Sequence, residues 1–321
     1  MKKIESMPKR NTTQPMKKAI LIGTLLIGCL YGSAQQEILI SQYMFNGLVL
    51  NPAYAGTHAY WSSSLLARTQ WVGFDKHPTT QTLCLDGPIA SRKMGLGLTV
   101  SNDKLGVTKQ LELGANASYK LILGPGNLSF GLRAGVSSYS ADLNEVRVWD
   151  ENDPAYAANI QGEIIPKFGA GAYFYATKWY VGISVPVIAA LDKNVISDGS
   201  VADKFFRSHS YLNAGAVFEP SLVVAVKPSI LVKYTSNAPV EVDVNCNVLF
   251  FQKYWIGAGY RTGDALVAMA EWNITPQFRL GYAYDFTLSD MADYSSGSHE
   301  IMLGFDFGKD VNLKARSPRY F

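Results

Sequence analysis

Apolar and polar residues alternate with a period of two along most of the chain from residue 59 onward. A period of two is that of a β-strand, because successive side chains point to opposite faces. The clearest case is 298–307, where Ile301, Leu303 and Phe305 share one face and Glu300 and Asp306 share the other. Segments of about ten residues with this pattern are typical of strands that cross a membrane.

The face opposite the apolar one is small or charged, and this decides between two kinds of β protein. A soluble sandwich buries its apolar face in a dry core, whereas a transmembrane barrel turns that face to lipid and lines its lumen with small and charged groups. Leu128, Phe130 and Leu132 alternate with Ser129 and Gly131 in this way. The pattern favours a transmembrane barrel, while a soluble secreted β protein remains the alternative.

The pattern predicts an all-β fold, namely a transmembrane antiparallel β-barrel of about fourteen strands. An even number returns both ends of the barrel to the same side of the membrane. The predicted strands are 59–69, 79–87, 95–103, 110–122, 127–140, 169–177, 179–187, 210–218, 224–234, 241–249, 254–261, 264–273, 278–285 and 298–307.

The connections between these segments are predicted to fall into two length classes in alternation. Tight turns such as 124–126 and 275–277 contain Pro, which suits turns, and they alternate with long connections such as 141–167 and 188–209. Outer-membrane barrels alternate short periplasmic turns with longer outer loops. The short connection 261–264 is an exception.

Aromatic residues near the strand ends suit the girdles that mark the two membrane interfaces. Core packing is the alternative interpretation. The candidates are Trp61, Trp179, Tyr180, Tyr234, Trp255, Tyr260 and Trp272.

The first 34 residues resemble a secretory signal peptide, because Lys17 and Lys18 precede an apolar run that ends at small residues near Ala34. Met16 is a possible true start. The residues before Cys29 also resemble a lipobox, so acylation of Cys29 is an alternative. The predicted organisation is a signal peptide at 1–34, a lumen segment at 35–58, a barrel at 59–308 and a basic periplasmic tail at 309–321.

The stretch 41–56, SQYMFNGLVLNPAYAG, is rich in aromatic residues and amides and is not needed to build a wall. A barrel of fourteen strands has a lumen wide enough to hold a plug, and we expect this stretch to fold into it. The amides of Gln42, Asn46 and Asn51 could satisfy lumen charges such as Arg133 and Glu271. The alternative is a loose periplasmic leader. The predicted lumen residues are Ser41, Gln42, Tyr43, Phe45, Asn46, Asn51, Pro52, Ala53, Tyr54 and Gly56.

Two further stretches rich in polar and aromatic residues are not needed to form the wall of the barrel. One runs off the first strand and includes Arg68, Gln70, Trp71 and Gly73. The other ends the chain, and we expect its residues to contact a periplasmic partner: Ser317, Pro318, Arg319, Tyr320 and Phe321.

Charge and motif content argue against several functions. The formal net charge of the 321 residues is only +3, so nucleic-acid binding is not expected. The four histidines lack metal-ligand spacing, and no nucleophile or phosphate-loop motif is present. We therefore predict no enzymatic activity, no catalytic residue, no metal site and no cofactor. Loop carboxylates at 150–153, and Asp285, Asp290 and Asp293, are weak calcium candidates.

The two cysteines beyond the signal are predicted to stay free. Alternation places Cys84 on the inner face and Cys246 on the outer face of the wall. Their Cβ vectors should therefore point apart, which prevents a disulfide.

The opening motif at 41–56, the motif RTQWVGFDKHPTTQ at 68–81 and the terminal SPRYF together resemble the PorP/SprF family. These are outer-membrane proteins associated with the type IX secretion and gliding machinery of the Bacteroidota. The resemblance extends from about residue 35 to Phe321.

The resemblance implies a non-enzymatic barrel in the cell outer membrane, surrounded by outer-membrane lipid. Its expected partners are periplasmic ring components of the secretion system, an exported adhesin with a C-terminal sorting domain, or both. The alternative function is a passive channel for small apolar solutes, because long-chain fatty-acid channels share fourteen strands and an Asn-Pro-Ala hatch, here Asn51, Pro52 and Ala53. Such a channel needs an apolar pocket along its lumen.

Overall fold

The fold is a single antiparallel sheet that closes on itself. The computed structural model describes residues 39–73, 75–89, 93–145, 159–190, 208–236 and 238–307. Its strands are β1 Trp61–Thr69, β2 Thr79–Ile89, β3 Met94–Leu105, β4 Thr108–Leu123, β5 Gly126–Ala141, β6 Ile160–Ala176, β7 Trp179–Ala190, β8 His209–Ala216, β9 Phe218–Ser221, β10 Val224–Thr235, β11 Glu241–Phe250, β12 Tyr254–Arg261, β13 Ala265–Asn273, β14 Phe278–Thr287 and β15 Ser298–Phe307.

These strands make a closed wall of fourteen. Strands β8 and β9 both pair with the same edge of β10 and are separated only by Val217, so they form one interrupted wall strand. The ring closes where β1 pairs with β15, with Leu65 opposite Leu303 and Arg68 opposite Glu300. Closure leaves no strand edge along the ring, as a membrane requires of a sheet. The predicted barrel class and strand number are confirmed.

The outside of the wall is apolar and the inside is polar. Leu132 is 68% exposed and Ile301 is 49% exposed, whereas the inward neighbours Arg133 and Glu300 are buried. This arrangement inverts that of a soluble sandwich and matches a wall in contact with lipid. None of the helices in the described residues is both long and apolar enough to cross a membrane.

Most predicted segments coincide with strands, but β6 starts earlier than expected. It begins at Ile160, whereas the predicted strand begins at residue 169. Residues 160–168 lack clear alternation, since they include Gly162 and Pro166, so their pairing with β5 was not visible in the sequence.

The prediction of alternating connection lengths is confirmed at one end of the barrel and partly wrong at the other. Connections 124–125, 177–178, 222–223, 251–253 and 274–277 are all short. The opposite end carries the long connections 70–78, 142–159, 191–208 and 288–297, but also the two-residue turn 106–107 between β3 and β4. Gly106 has a φ of 60°, which suits so tight a turn. Because long loops face outward, we name the two ends periplasmic and outer.

Two of the predicted girdle aromatics lie in the lumen instead. Tyr180 and Trp255 are buried inside the wall, because each directly follows an outward-facing aromatic, Trp179 and Tyr254 respectively. The outward aromatics Tyr234, Tyr260 and Trp272 remain exposed at strand ends, as a girdle requires.

Cys84 is buried on the inner face and Cys246 is exposed on the outer face, as predicted, and both are free thiols. We expect the purified chain to migrate identically on reducing and non-reducing gels, because the wall separates the two sulfur atoms. A mobility shift that disappears in a variant with Cys84→Ser would contradict this placement.

Candidate functional site

The lumen of the barrel contains the segment that precedes β1. Residues 39–58, here called the lumen segment, form a 3-10 turn at Tyr43–Phe45, a single α-helical turn at Gly47–Leu50 and a second 3-10 turn at Pro52–Tyr54. Nearly all of their side chains are buried. The segment is therefore enclosed by the wall, as the sequence predicted.

The lumen segment runs from the outer end of the barrel to the periplasmic end. Ser41 contacts Arg68, which is near the outer end of β1. Gly56 contacts Asp86, which is near the periplasmic end of β2. The chain then turns back into β1, so the lumen segment and β1 run in opposite directions.

Ser41 lies at the centre of a buried ion network at the outer end. Its hydroxyl donates to Asp285 at 2.8 Å and accepts from Arg68 at 2.9 Å and from Arg261 at 3.1 Å. Its backbone N–H donates to Oε2 of Glu300 at 2.8 Å. All five groups are buried. One serine thus joins β1, β12, β14 and β15.

The charges in this network compensate one another across the strands. Arg68 pairs with Asp285 at 2.8 Å and with Glu300 at 3.3 Å. Arg261 pairs with the same Asp285 at 3.0 Å and with Asp243 at 3.1 Å. Buried charges are tolerated only when they are paired and hydrogen-bonded. Removing Arg68 would therefore leave Glu300 without its paired arginine and Asp285 with one arginine instead of two.

Asn51 and Pro52 hold the middle of the lumen segment against β6 and β7. The Asn51 amide donates to the carbonyls of Ala172 at 3.0 Å and Ile183 at 3.3 Å. Its side-chain oxygen accepts from the N–H of Ala53 at 2.9 Å and caps the following 3-10 turn. Pro52 suits the start of that turn because its φ is already fixed.

Inner-face glycines give the lumen segment the space it occupies. A Cβ on Gly131 would lie 2.2 Å from the backbone nitrogen of Ala53, and one on Gly95 would lie 2.1 Å from the carbonyl oxygen of Ala55. A Cβ on Gly171 would lie 2.2 Å from the side-chain oxygen of Asn51. Such distances are far below van der Waals contact, so the wall and the segment are shaped to fit each other.

The remaining predicted lumen residues also contact the wall or one another. The backbone N–H of Gln42 donates to Glu300 at 2.8 Å, and the amide of Asn46 donates to Ser64 at 2.8 Å. Phe45 packs on Trp255, with ring centroids 5.7 Å apart. Tyr54 meets Tyr173 edge-on at 5.6 Å.

Tyr43 accepts a hydrogen bond from the amide of Asn245 at 2.9 Å. Burial raises the pKa of the Tyr43 phenol to about 12.

The three side-chain amides were expected to meet lumen charges such as Arg133 and Glu271. Among the described hydrogen bonds they donate to the backbone carbonyl of Glu300, to the hydroxyl of Ser64 and to the carbonyls of Ala172 and Ile183. Arg133 instead donates to Thr99 at 2.6 Å.

The first-loop residues fall into two groups. Arg68 belongs to the ion network, whereas Gln70, Trp71 and Gly73 belong to the loop at the outer end. The N–H of Gln70 donates to the carbonyl of Pro78 at 2.9 Å, and the N–H of Trp71 donates to the hydroxyl of Ser298 at 3.1 Å. A Cβ on Gly73 would lie 3.0 Å from the carbonyl oxygen of Tyr294. This loop therefore packs against the loop between β14 and β15.

Some predicted elements lie outside the described residues. They are the signal region with Cys29, the acidic loop residues 150–153, and the tail residues Ser317, Pro318, Arg319, Tyr320 and Phe321. Asp285 is paired with Arg68 and Arg261. Within the described ranges, no three His, Cys, Asp or Glu side chains come together as a metal site.

Several wall residues that bind the lumen segment were not predicted as site residues. Lys227 donates to the carbonyl of Met44 at 2.9 Å, and Ser184 donates to that of Leu50 at 2.6 Å. Arg261, Glu300 and Asp86 were also missed. Each is a polar residue at an inner-face position of a strand, which is the signal that could have identified it.

A closed ring with an apolar exterior and a polar, occupied lumen defines an outer-membrane β-barrel. The family model for "Type IX secretion system membrane protein PorP/SprF" matches residues 32–305. The chain therefore belongs to the PorP/SprF family.

The solved structures that match the chain are distant. Omp33 of Acinetobacter baumannii is 10% identical with a TM-score of 0.46, and the match covers 78% of this chain and 100% of Omp33. The KdgM porin is 11% identical with a TM-score of 0.35, covering 77% and 99%. A mutant of the Rhodopseudomonas blastica porin is 10% identical with a TM-score of 0.33, covering 77% and 98%. No curated protein matched the chain.

Gly131→Ala is expected to destabilise the folded barrel by about 2 kcal/mol, because its methyl group would collide with the backbone of the lumen segment. Gly97→Ala is the matched control, since there the nearest atoms are the terminal methyl groups of Leu48 at 3.0 Å and 3.1 Å, and a side chain can shift more readily than backbone. The measurement is the temperature at which the folded band is lost on gels. Equal losses in both variants would contradict the close fit at Gly131.

Arg68→Met is expected to lower the free energy of unfolding of the barrel by about 3 kcal/mol, because Glu300 and Asp285 lose a buried counter-charge. The control Lys109→Met removes an exposed pair with Asp142 and should cost less than about 1 kcal/mol. Protease accessibility of the lumen segment should rise in the first variant only. An unchanged digestion pattern would show that the network does not hold the segment.

Proposed function

We propose that this outer-membrane barrel is a non-enzymatic component of the type IX secretion system that binds partner proteins. Its partners would be periplasmic secretion components, an exported adhesin kept at the cell surface, or both. The family membership supports a place in this secretion system.

The observation that carries the proposal is the occupied lumen. The lumen segment is bonded to the wall at the outer end through Ser41, in the middle through Asn51 and at the periplasmic end through Gly56. Movement of the segment out of the lumen would require these bonds to break together. A barrel that holds a segment in its interior in this way is better suited to holding partners than to passing solutes.

The passive-channel alternative receives less support from the lumen. A channel for apolar solutes needs an apolar pocket along its path. The inner face here includes Arg68, Arg261, Asp285 and Glu300, all buried around the segment. Asn51 is the first residue of the Asn-Pro-Ala sequence that resembles the hatch of such channels. Its side-chain amide also donates hydrogen bonds to carbonyls of two wall strands.

The test is affinity purification of the tagged full-length chain in detergent from its native outer membrane. Ring components of the secretion system, or a large adhesin with a C-terminal sorting domain, are expected to be recovered. A variant with Asn51→Ala and Pro52→Ala should keep a folded, heat-modifiable barrel, because strand pairing makes the wall, while export or surface display declines.

Two outcomes would count against this function, and a third would assign the Asn51 and Pro52 pair to folding instead. Solute uptake that is lost on deletion, with no partner recovered, would favour the channel. Extraction without detergent would favour a soluble protein. Loss of the barrel itself in the double variant would show that the Asn51 and Pro52 pair is needed for the fold.

A further inference from the structure

The lumen segment enters the barrel from the outer end, and its first residues fix this direction. The backbone N–H groups of Ser41 and Gln42 donate to the two carboxylate oxygens of Glu300, each at 2.8 Å. A carboxylate that receives two consecutive N–H groups sets the direction of the backbone as well as its position. Glu300 is the third residue of β15 and therefore lies near the outer end of the wall.

The other wall contacts of the lumen segment agree with this direction. Arg68 is the last residue but one of β1 and Arg261 is the last residue of β12, and both strands run toward the outer end. Both arginines donate to the hydroxyl of Ser41. At the other end, the N–H of Gly56 donates to Asp86 at 3.0 Å, near the periplasmic end of β2. The chain therefore crosses the height of the wall between residues 41 and 56.

Too little chain precedes the lumen segment for its start to return to the periplasm. The predicted mature chain begins near Gln35, four residues before Leu39. Four residues reach at most ~14 Å when they are fully extended. The apolar band of a transmembrane barrel is about 25 Å tall, so a return through the lumen would need more residues than the mature chain supplies. The N-terminus of the mature chain therefore stays at the outer end.

A signal peptide that remained attached would conflict with this path. Its apolar run at 19–28 belongs to the inner membrane during export, and ten residues separate that run from Leu39. Ten residues reach at most ~36 Å, which is less than the thickness of about 40–45 Å of one bilayer with its headgroups. The lumen segment can therefore dock only after the signal peptide has been removed.

We propose that the chain passes through its own barrel from the cell surface to the periplasm, with the mature N-terminus displayed at the outer end. Removal of the signal peptide precedes docking of the lumen segment in this arrangement. The displayed terminus lies on the same side as the long loops, where it is accessible to a partner on the cell surface. The inference goes beyond the proposed function and does not use the secretion role.

The test labels single cysteines of the full-length chain in native cells with a bulky maleimide that cannot cross the outer membrane. Cys84→Ser and Cys246→Ser remove the two thiols of the wall from the background. Gln36→Cys then reports on the terminus. The exposed positions of Ala292→Cys, in the loop between β14 and β15, and Leu222→Cys, in a periplasmic turn, are the matched controls.

Gln36→Cys is expected to react in intact cells to the same extent as Ala292→Cys, because both lie on the cell-surface side. Leu222→Cys should react only after the outer membrane is permeabilised. Heat modifiability on gels shows that each variant has a folded barrel.

Every other pattern of labelling would overturn the proposal. Reaction of Gln36→Cys only after permeabilisation would place the terminus in the periplasm, and reaction only after denaturation would place it inside the wall. No reaction even then would show that the mature chain begins beyond residue 36. Reaction of Leu222→Cys in intact cells would reverse the orientation of the barrel. Affinity purification of partners is independent of these readouts, so the proposed function can stand if this topology fails.

Discussion

The architecture depends on one buried ion network at the outer end of the lumen. Arg68 and Arg261 share Asp285, and Glu300 completes the set, with the hydroxyl of Ser41 in contact with three of the four side chains. None of these charges would be stable in the lumen without the others, because burial removes their hydration. Ser41 is the residue through which the lumen segment takes part in this ion network. The wall and the segment therefore stabilise each other at this end.

The rest of the lumen segment is held mainly by shape and by backbone hydrogen bonds. Gly95, Gly131 and Gly171 let the chain approach the wall to distances that any side chain would prevent. Wall groups such as Lys227 and Ser184 bind its carbonyls, which would otherwise be buried without partners. Charge at one end and close fit elsewhere hold the segment against the wall along its length.

Much of the wall could be predicted from the sequence because lipid and lumen impose opposite demands on alternate residues. The start of β6 could not, since Gly162 and Pro166 interrupt the alternation there. The period-two alternation would have placed Tyr180 and Trp255 on the inner face. They were instead assigned to the aromatic girdle because they lie near strand ends, and that assignment was wrong. The enclosure of residues 41–56 was predictable from their composition and position.

The contacts of the lumen segment were not predictable from the sequence. They depend on the register offset between each pair of neighbouring strands, added up around the ring. Alternation places Arg68 and Glu300 on inner faces, but only the closing register of β1 with β15 sets them opposite each other. The docking of Asn51 onto β6 and β7 likewise requires knowing how far each strand is offset from its neighbour. A single sequence carries no direct record of these offsets.

The direction of the lumen segment has a consequence for assembly. Because the segment turns at Gly56 and runs antiparallel to β1, its contacts with that strand, Asn46 with Ser64 and Ser41 with Arg68, join residues close in sequence. The acidic partners of Arg68 lie on β14 and β15. The contacts with β1 can therefore form over a short stretch of chain, whereas the ion network is complete only when β15 pairs with β1 and closes the ring.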